Sequence, residues 1–366
     1  MSIRKKKDTG KFQVMYRDHQ GKQRAKNFTL KTDAEKFERE TKLAMERGTY
    51  TDPSKGKSLL KDVYVEWFRT KQDLTPKSQT FYKSLWNIHI SPTFGESPIK
   101  TITAHSINQW ALSRATGPNA STSTGRIEKA QELLATLLDY CVDLNLIPKN
   151  VARKANGKVN KLKVNSTDRK RPATALTPKE LLKLANATNE YRPLILVMGL
   201  CGLRWGEAIA LRPMDIDPVK GIILISRSIS EVEGKFTIQN TKTHKSRVVV
   251  VPELLRNELM LLSISKPADE LLFTSNGECL KNSMFHQYVY KPAIKQAGIP
   301  KVTLHDLRHT TASIAIANGA NVLVLARMLG HSTPTMTLNT YGHMFKEDLE
   351  SVAKSINDSV LQAIVD

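Results

Sequence analysis

His305, Arg308, His331 and Tyr341 lie near the end of the chain, in TLHDLRHTTASIAIANGANVLVLARMLGHSTPTMTLNTYGH, residues 303–343. His305 and Arg308 stand at i and i+3, so on a helix they address one target. Leu329-Gly330-His331-Ser332 adds a second imidazole, and Tyr341 follows a Ser/Thr-rich segment. A guanidinium binds two phosphate oxygens at once, an imidazole donates a hydrogen bond or takes a proton, and a phenol can attack phosphorus. The set suits a phosphodiester held by side-chain cations. A rival reading makes His305 and His309, at i and i+4, metal ligands, but no Glu follows His305 and the sequence places no third ligand.

Two more cations lie upstream. Cys201-Gly202-Leu203-Arg204-Trp205-Gly206-Glu207 sets an arginine among small residues, which let it come close to a backbone or a ligand. Lys242 sits in Thr241-Lys242-Thr243-His244 between two strand candidates, with Lys245 and Arg247 after it. A lysine desolvated beside other cations is suited to protonating an alkoxide. Each residue also has an ordinary reading: Arg204 paired with Glu207, Lys242 on a solvated hairpin tip, His305 capping a helix, Arg308 on the surface, His331 satisfying helix-end groups, and Tyr341 as one of nine tyrosines. No single one of them decides the chemistry.

In this order, Arg204, Lys242, His305-x-x-Arg308, His331 and Tyr341 resemble the tyrosine recombinase (phage integrase) family. Residues 202–208, with Leu211 and Asp215-Ile216-Asp217, are similar to its first box. Thr241-Lys242-Thr243, Arg247 and Val250-x-Pro252 resemble its β-hairpin lysine, residues 305–310 and 329–332 its second box, and residues 340–343 its nucleophile. The resemblance implies that Tyr341 attacks the scissile phosphorus, giving a 3′-phosphotyrosine and a 5′-hydroxyl. It implies that Arg204 and Arg308 clamp the non-bridging oxygens, His305 accepts the phenolic proton, His331 donates a hydrogen bond and Lys242 protonates the leaving oxygen. It implies no metal, no ATP and no cofactor, because the covalent bond conserves the energy of the phosphodiester. Glu207 and Asp215 are expected to orient the first-box backbone. A type IB topoisomerase, which shares this site, and a non-enzymatic DNA-binding regulator are the alternatives.

The elements that must position these residues follow from periodicity. Phe12, Val14 and Tyr16, then Phe28 and Leu30, alternate around a Gly-containing turn, which predicts a small sheet. A helix starting near Thr32-Asp33 and reaching Arg47 should turn Ala34, Phe37 and Leu43 inward. Residues 58–150 are helical in pattern, with apolar sets Leu59/Val63/Trp67, Phe81/Leu85/Ile88 and Ile107/Trp110, and a long stripe at Ile127, Leu133, Leu134, Leu137, Leu138 and Cys141. Thr177-Pro178-Lys179-Glu180 is a strong helix start. Residues 221–229 read as a strand, and 236–251 as a strand pair linked through 241–244. Gly330 should end an apolar helix. The fold class expected is multidomain and mainly α: a three-stranded sheet plus helix (1–55, an arm-type DNA-binding domain), a helical core-binding domain (56–150), a basic linker (151–172) and a mixed α+β catalytic domain (173–366).

The net charge of +20 is concentrated. Residues 1–55 hold 15 Lys/Arg against 8 Asp/Glu and residues 149–172 hold 9 against 1, whereas 56–148 hold 10 against 8 and 173–366 hold 21 against 18. Clustered charge points to a polyanion. A membrane surface is the weaker alternative, since neither basic segment is an amphipathic helix. The three cysteines are far apart and odd in number, so they form neither a disulfide framework nor a metal knuckle. No signal peptide or apolar span is present, and a reducing bacterial cytoplasm, at the nucleoid, is expected. With two DNA-binding regions, the resemblance implies an integrase of a phage or mobile element. Its expected partners are double-stranded DNA at core and arm sites, three further copies of itself in a tetramer, a host DNA-bending protein and an excisionase. The stripe Leu349, Val352, Ile356, Val360, Ile364 predicts a C-terminal helix that packs on its own domain or, by resemblance, on a neighbouring protomer.

Overall fold

Val14 and Tyr16 are buried on one face of a strand, as alternation dictates. That strand, β2 (Phe12–Arg17), is central to an antiparallel sheet with β1 (Ser2–Lys5) and β3 (Gln23–Phe28). Helix α1 (Lys31–Glu46) covers it, and its Phe37 ring meets Tyr16 and Phe28 at centroid distances of 5.9 and 5.2 Å. The inward face differs from expectation: Thr41 is buried and Leu43 is 40% exposed. Ala34 and Thr41 are two turns apart on one side, and Leu43 emerges on the other. The computed structural model describes residues 1–17, 21–46, 55–116, 124–161, 174–240, 246–344 and 349–365.

The helical segment comprises α2 (Leu60–Arg69), α3 (Pro76–Leu85), a π turn (Trp86–Ile90), α4 (Ser91–Phe94), α5 (Ala104–Thr116) and α6 (Thr124–Asp143). The α6 stripe from Ile127 to Cys141 is buried as predicted. The stripe Phe81/Leu85/Ile88 is not: Leu85 is buried, but Phe81 and Ile88 are exposed. The π turn inserts a residue and shifts the phase, so Trp86, His89 and Ile90 turn inward, with Trp86 stacked on Tyr64 at 4.1 Å.

The start of the basic linker is folded onto α6. Asn150 donates to the Ala135 carbonyl and to Asp139. Arg153 holds both Asp139 carboxylate oxygens, and Lys161 donates to Glu132 at 2.6 Å. The chain divides into two compact units, Met1–Lys170 and Arg171–Asp366.

The second unit opens with α7 (Pro178–Ala187), whose Thr177 and Glu180 form the expected capping box, followed by the buried apolar α8 (Arg192–Leu200) and one turn, α9 (Trp205–Ala208). Strands β4 (Ile216–Asp217), β5 (Ile222–Ile225), β6 (Arg227–Val232), β7 (Lys235–Asn240) and β8 (Arg247–Val250) come next. The expected single strand over 221–229 is two strands, and the expected pair within 236–251 is not a pair. β8 joins β5 in a β4-β5-β8 sheet, while β7 pairs with β6. The cause is the Glu233-Gly234 turn, where both residues have positive φ, the two-residue hairpin geometry that folds β7 straight back on β6. The link expected through 241–244, and Arg47 at the end of the first helix, lie outside the described residues.

After α10 (Glu253–Ile264), β9 (Thr274–Ser275) and β10 (Glu278–Cys279) come α11 (Asn282–Phe285), a second π turn (His286–Tyr290) and α12 (Lys291–Ala297). The chain finishes with α13 (Leu304–Ala317), α14 (Val322–Leu329), α15 (Pro334–Tyr341) and α16 (Leu349–Val365). Helix α8 packs on α13, and Thr311 donates to the Gly199 carbonyl across that seam at 2.8 Å. On α16 the stripe residues Ile356, Val360 and Ile364 are exposed. Among the described residues no helix is long and apolar enough to cross a membrane.

Candidate active site

Of the six positions nominated by sequence, five are described: Arg204, His305, Arg308, His331 and Tyr341. Lys242 lies outside the described residues. Arg204 ends the loop between α8 and α9. Its backbone N–H and Nη1 both donate to Glu207, at 2.9 and 2.8 Å, and its Nη2 donates to the Gly330 carbonyl at 3.2 Å. The ordinary reading of Arg204 as a partner of Glu207 is therefore met, and the same pairing brings Arg204 beside the loop that carries His331.

Arg308 comes up from the first turns of α13, which Thr303 and Asp306 cap reciprocally. It is 2% exposed, so it is not a surface arginine. Its Nη1 donates to the Gly202 carbonyl at 2.8 Å, and its buried Nη2 has no hydrogen-bond partner among the described residues. Gly202 has φ +71°, where any other residue would be strained, and a Cβ there would stand 2.7 Å from Leu329 Cδ2; glycine lets this carbonyl turn toward Arg308 without that cost. Burial, and then the charge of Arg204, push the Arg308 pKa down to about 9, which still leaves it charged at neutral pH. A buried N–H with no acceptor, on a cation, is a place prepared for an anion's oxygen.

His331 follows Gly330, the left-handed residue that ends α14 as predicted. Its Nδ1 is 2.8 Å from Thr337 Oγ1. Burial first, then Arg308, Arg204 and Arg247, lower its pKa to about 4. His305 is lowered in the same sense by burial and by Arg308. Tyr341, at the end of α15, is 4% exposed and packs with Ala312, Ile316, Leu325 and Leu329. Burial raises its pKa, and the Arg308 charge opposes that. Its phenol lies 2.7 Å from Nδ1 of His309.

Two residues that sequence reasoning did not place in the site stand in it. Arg247, at the start of β8, donates to both carboxylate oxygens of Glu207, at 3.0 and 2.7 Å, and to the Met328 carbonyl at 3.0 Å. Glu207 is thus held between two guanidinia. It is 4% exposed, and although burial alone would raise its pKa, Arg247 and Arg204 bring it down to about 2. His309 is the other; its spacing from His305 was visible, but Tyr341 as its partner was not. Asp215 does orient the first box, accepting from the Arg212 N–H and from Arg227. No described group of three His, Cys, Asp or Glu side chains could hold a metal ion.

A model described as the phage integrase family matches residues 174–348, and one described as the phage integrase N-terminal SAM-like domain matches residues 59–112. The chain belongs to the phage integrase family. It is a tyrosine recombinase. The integrase of Mycobacterium phage L5 is 28% identical over 324 residues, spanning 84% of this chain and 83% of that protein. Among solved structures, the Tn1549 transposon integrase in complex with a circular intermediate DNA superposes with a TM-score of 0.68 at 19% identity, covering 82% of this chain and 99% of that one. A lambda integrase tetramer bound to a Holliday junction gives 0.58 at 16%, covering 91% and 96%. At these identities the two structures share the recombinase's fold.

The low pKa of His331 has a measurable consequence. Between pH 6.5 and about 4 the unfolded recombinase binds a proton at this position that the folded one refuses. Stability is therefore intact above 6.5 and falls as pH drops through that window. His331→Gln should make the fall between pH 7 and 4.5 shallower in urea titrations; an unchanged pH dependence would refute the assignment.

Proposed function

We propose that this recombinase integrates or excises a phage or mobile element, cleaving and rejoining double-stranded DNA through a 3′-phosphotyrosine at Tyr341. The observation that carries the reading is the open Nη2 of buried Arg308, on a guanidinium whose other end is fixed to Gly202 and whose charge reaches Tyr341. Arg204 and Arg308 hold the two non-bridging oxygens as negative charge builds on them, and His331 adds a hydrogen bond. The Tyr341 oxygen bonds to phosphorus, the bond to the 5′-oxygen breaks, and Lys242 protonates that oxygen. The phenolic proton goes to an imidazole, for which the sequence nominates His305. Reversal by a 5′-hydroxyl rejoins the strand without ATP or metal.

The arm-type domain (1–55) and the helical core-binding domain (56–150) bind separate DNA sites, with the linker (151–172) along the phosphates and the catalytic domain (173–366) on the duplex. Lys154 and Lys158, and Lys149 just before the linker, are exposed and suited to that contact; Arg153 and Lys161 are already paired. The working assembly is a homotetramer on DNA in the bacterial cytoplasm, at the nucleoid, helped by a host DNA-bending protein and an excisionase. The exposed stripe of α16 docks on a neighbouring protomer. Deleting residues 349–366 should leave binding to one half-site intact and abolish higher complexes in native gels, and undiminished assembly would refute the docking. The reading as a whole is tested on a nicked duplex from the element's attachment site. Cleavage there releases a short 5′-hydroxyl fragment and traps protein on the 3′ end. No trapped product on any such duplex would overturn it.

A further inference from the structure

The phenol of Tyr341 does not meet His305. Its hydrogen bond goes to Nδ1 of His309 at 2.7 Å, and the two rings stand 5.5 Å apart, edge on. His305 is one turn earlier on α13, its ring 5.0 Å from that of His309 and crossed at 86°. Arg308 lies between them in sequence, with its unpaired Nη2.

We infer that His309 is a catalytic residue, the first acceptor of the Tyr341 proton, and that His305 is left free for the phosphate. This rests on the function proposed above. The inference is carried by contact with the reacting oxygen itself and by the surroundings of the pair. Tyr341 is held by Ala312, Ile316, Leu325 and Leu329, so the phenol has little water to take its proton. A neutral imidazole with its own proton on Nε2 offers Nδ1 as a lone pair to the phenolic O–H. The charged or titratable groups around His309 are His305, Asp306 and Arg308 on its own helix and Tyr341 from α15. Burial, with His305 and Arg308, favours the neutral ring, and only Asp306 opposes them. An arriving phosphodiester brings negative charge to Arg308 and so strengthens the imidazole as a base when substrate is present. In the step, the Tyr341 O–H bond breaks and its proton passes to His309 Nδ1, making an imidazolium. The phenolic oxygen bonds to phosphorus and the 5′-oxygen leaves with a proton from Lys242. On rejoining, His309 returns its proton to the phenol.

The test uses the full chain on the nicked duplex. His309→Asn keeps an oxygen near the Nδ1 position that can accept the phenolic hydrogen bond but cannot take the proton. It should bind the duplex as wild type does and cleave about 100-fold or more slowly. Replacing Tyr341 with 3,5-difluorotyrosine, a more acidic phenol, should bring H309N back to within about tenfold of wild type and should not rescue His305→Asn. Cleavage by H309N within about threefold of wild type, or slow cleavage that the fluorinated phenol leaves slow, overturns the inference. If H309N does not fold, the difluorotyrosine protein with His309 intact decides. Loss of the acid limb of its pH–rate profile supports the inference, and a limb like that of wild type overturns it. Failure of the wild-type chain to trap DNA would sink the proposed function; trapping by wild type with an indifferent H309N sinks this inference alone.

Discussion

Tyr341→Phe should bind attachment-site DNA with unchanged affinity and form no covalent complex, a loss of about 10⁴-fold or more in cleavage. The structure makes this substitution unusually clean. The ring is packed by Ala312, Ile316, Leu325 and Leu329, and phenylalanine fills the same space. What disappears is one oxygen and its hydrogen bond to His309, worth about 1 kcal/mol in stability. Arg204, Arg308 and His331 keep their partners on Glu207, Gly202 and Thr337, so the clamp proposed for the phosphate keeps its geometry. Filter binding and denaturing gels on the same nicked duplex separate the two readouts. A variant that still traps DNA would move the nucleophile to another residue.

Glu207→Gln should damage both stability and rate. The carboxylate is buried and accepts from Arg204 and Arg247 at once. A glutamine of the same size has one acceptor oxygen and no charge, leaving two guanidinia beside Arg308 without a counterion. Removing one partner of a buried ionic group costs about 3–5 kcal/mol. The cleavage rate should fall by about 100-fold, because the Arg204 guanidinium loses its charged tether and keeps only the Gly330 carbonyl. Added DNA should recover part of the melting temperature, since its phosphate supplies negative charge to the folded form only. Equal melting temperatures for E207Q and wild type would show that Glu207 does not hold this site together.

Much of this was legible in the chain. Thr177 and Glu180 announced a helix start and Gly330 a helix end, while the motif residues pointed to one site, of which five are described and Lys242 is not. The two residues missed at the site share a physical cause, since each depended on a partner far away in sequence. Arg247 was visible as the end of a hairpin, but its carboxylate is 40 residues upstream. His309 was visible at helical spacing from His305, but its phenol arrives from α15, 32 residues later. Local propensity also hid two changes of phase. A π turn moved Ile88 to the surface, and a two-residue turn at Glu233-Gly234 took β7 away from β8. Strand alternation marks which residues form strands and is silent on which strands pair.

The ion pairs on α6 change how the charge of the basic segment should be counted. Arg153 and Lys161 already hold Asp139 and Glu132. A side chain so occupied displaces no condensed cation from a nucleic acid unless it first abandons its carboxylate. The ionic-strength dependence of DNA binding should therefore be gentler than the bare tally of lysines and arginines in that segment implies. The helical domain spends part of its own acidic surface in fixing where the strand of basic residues begins.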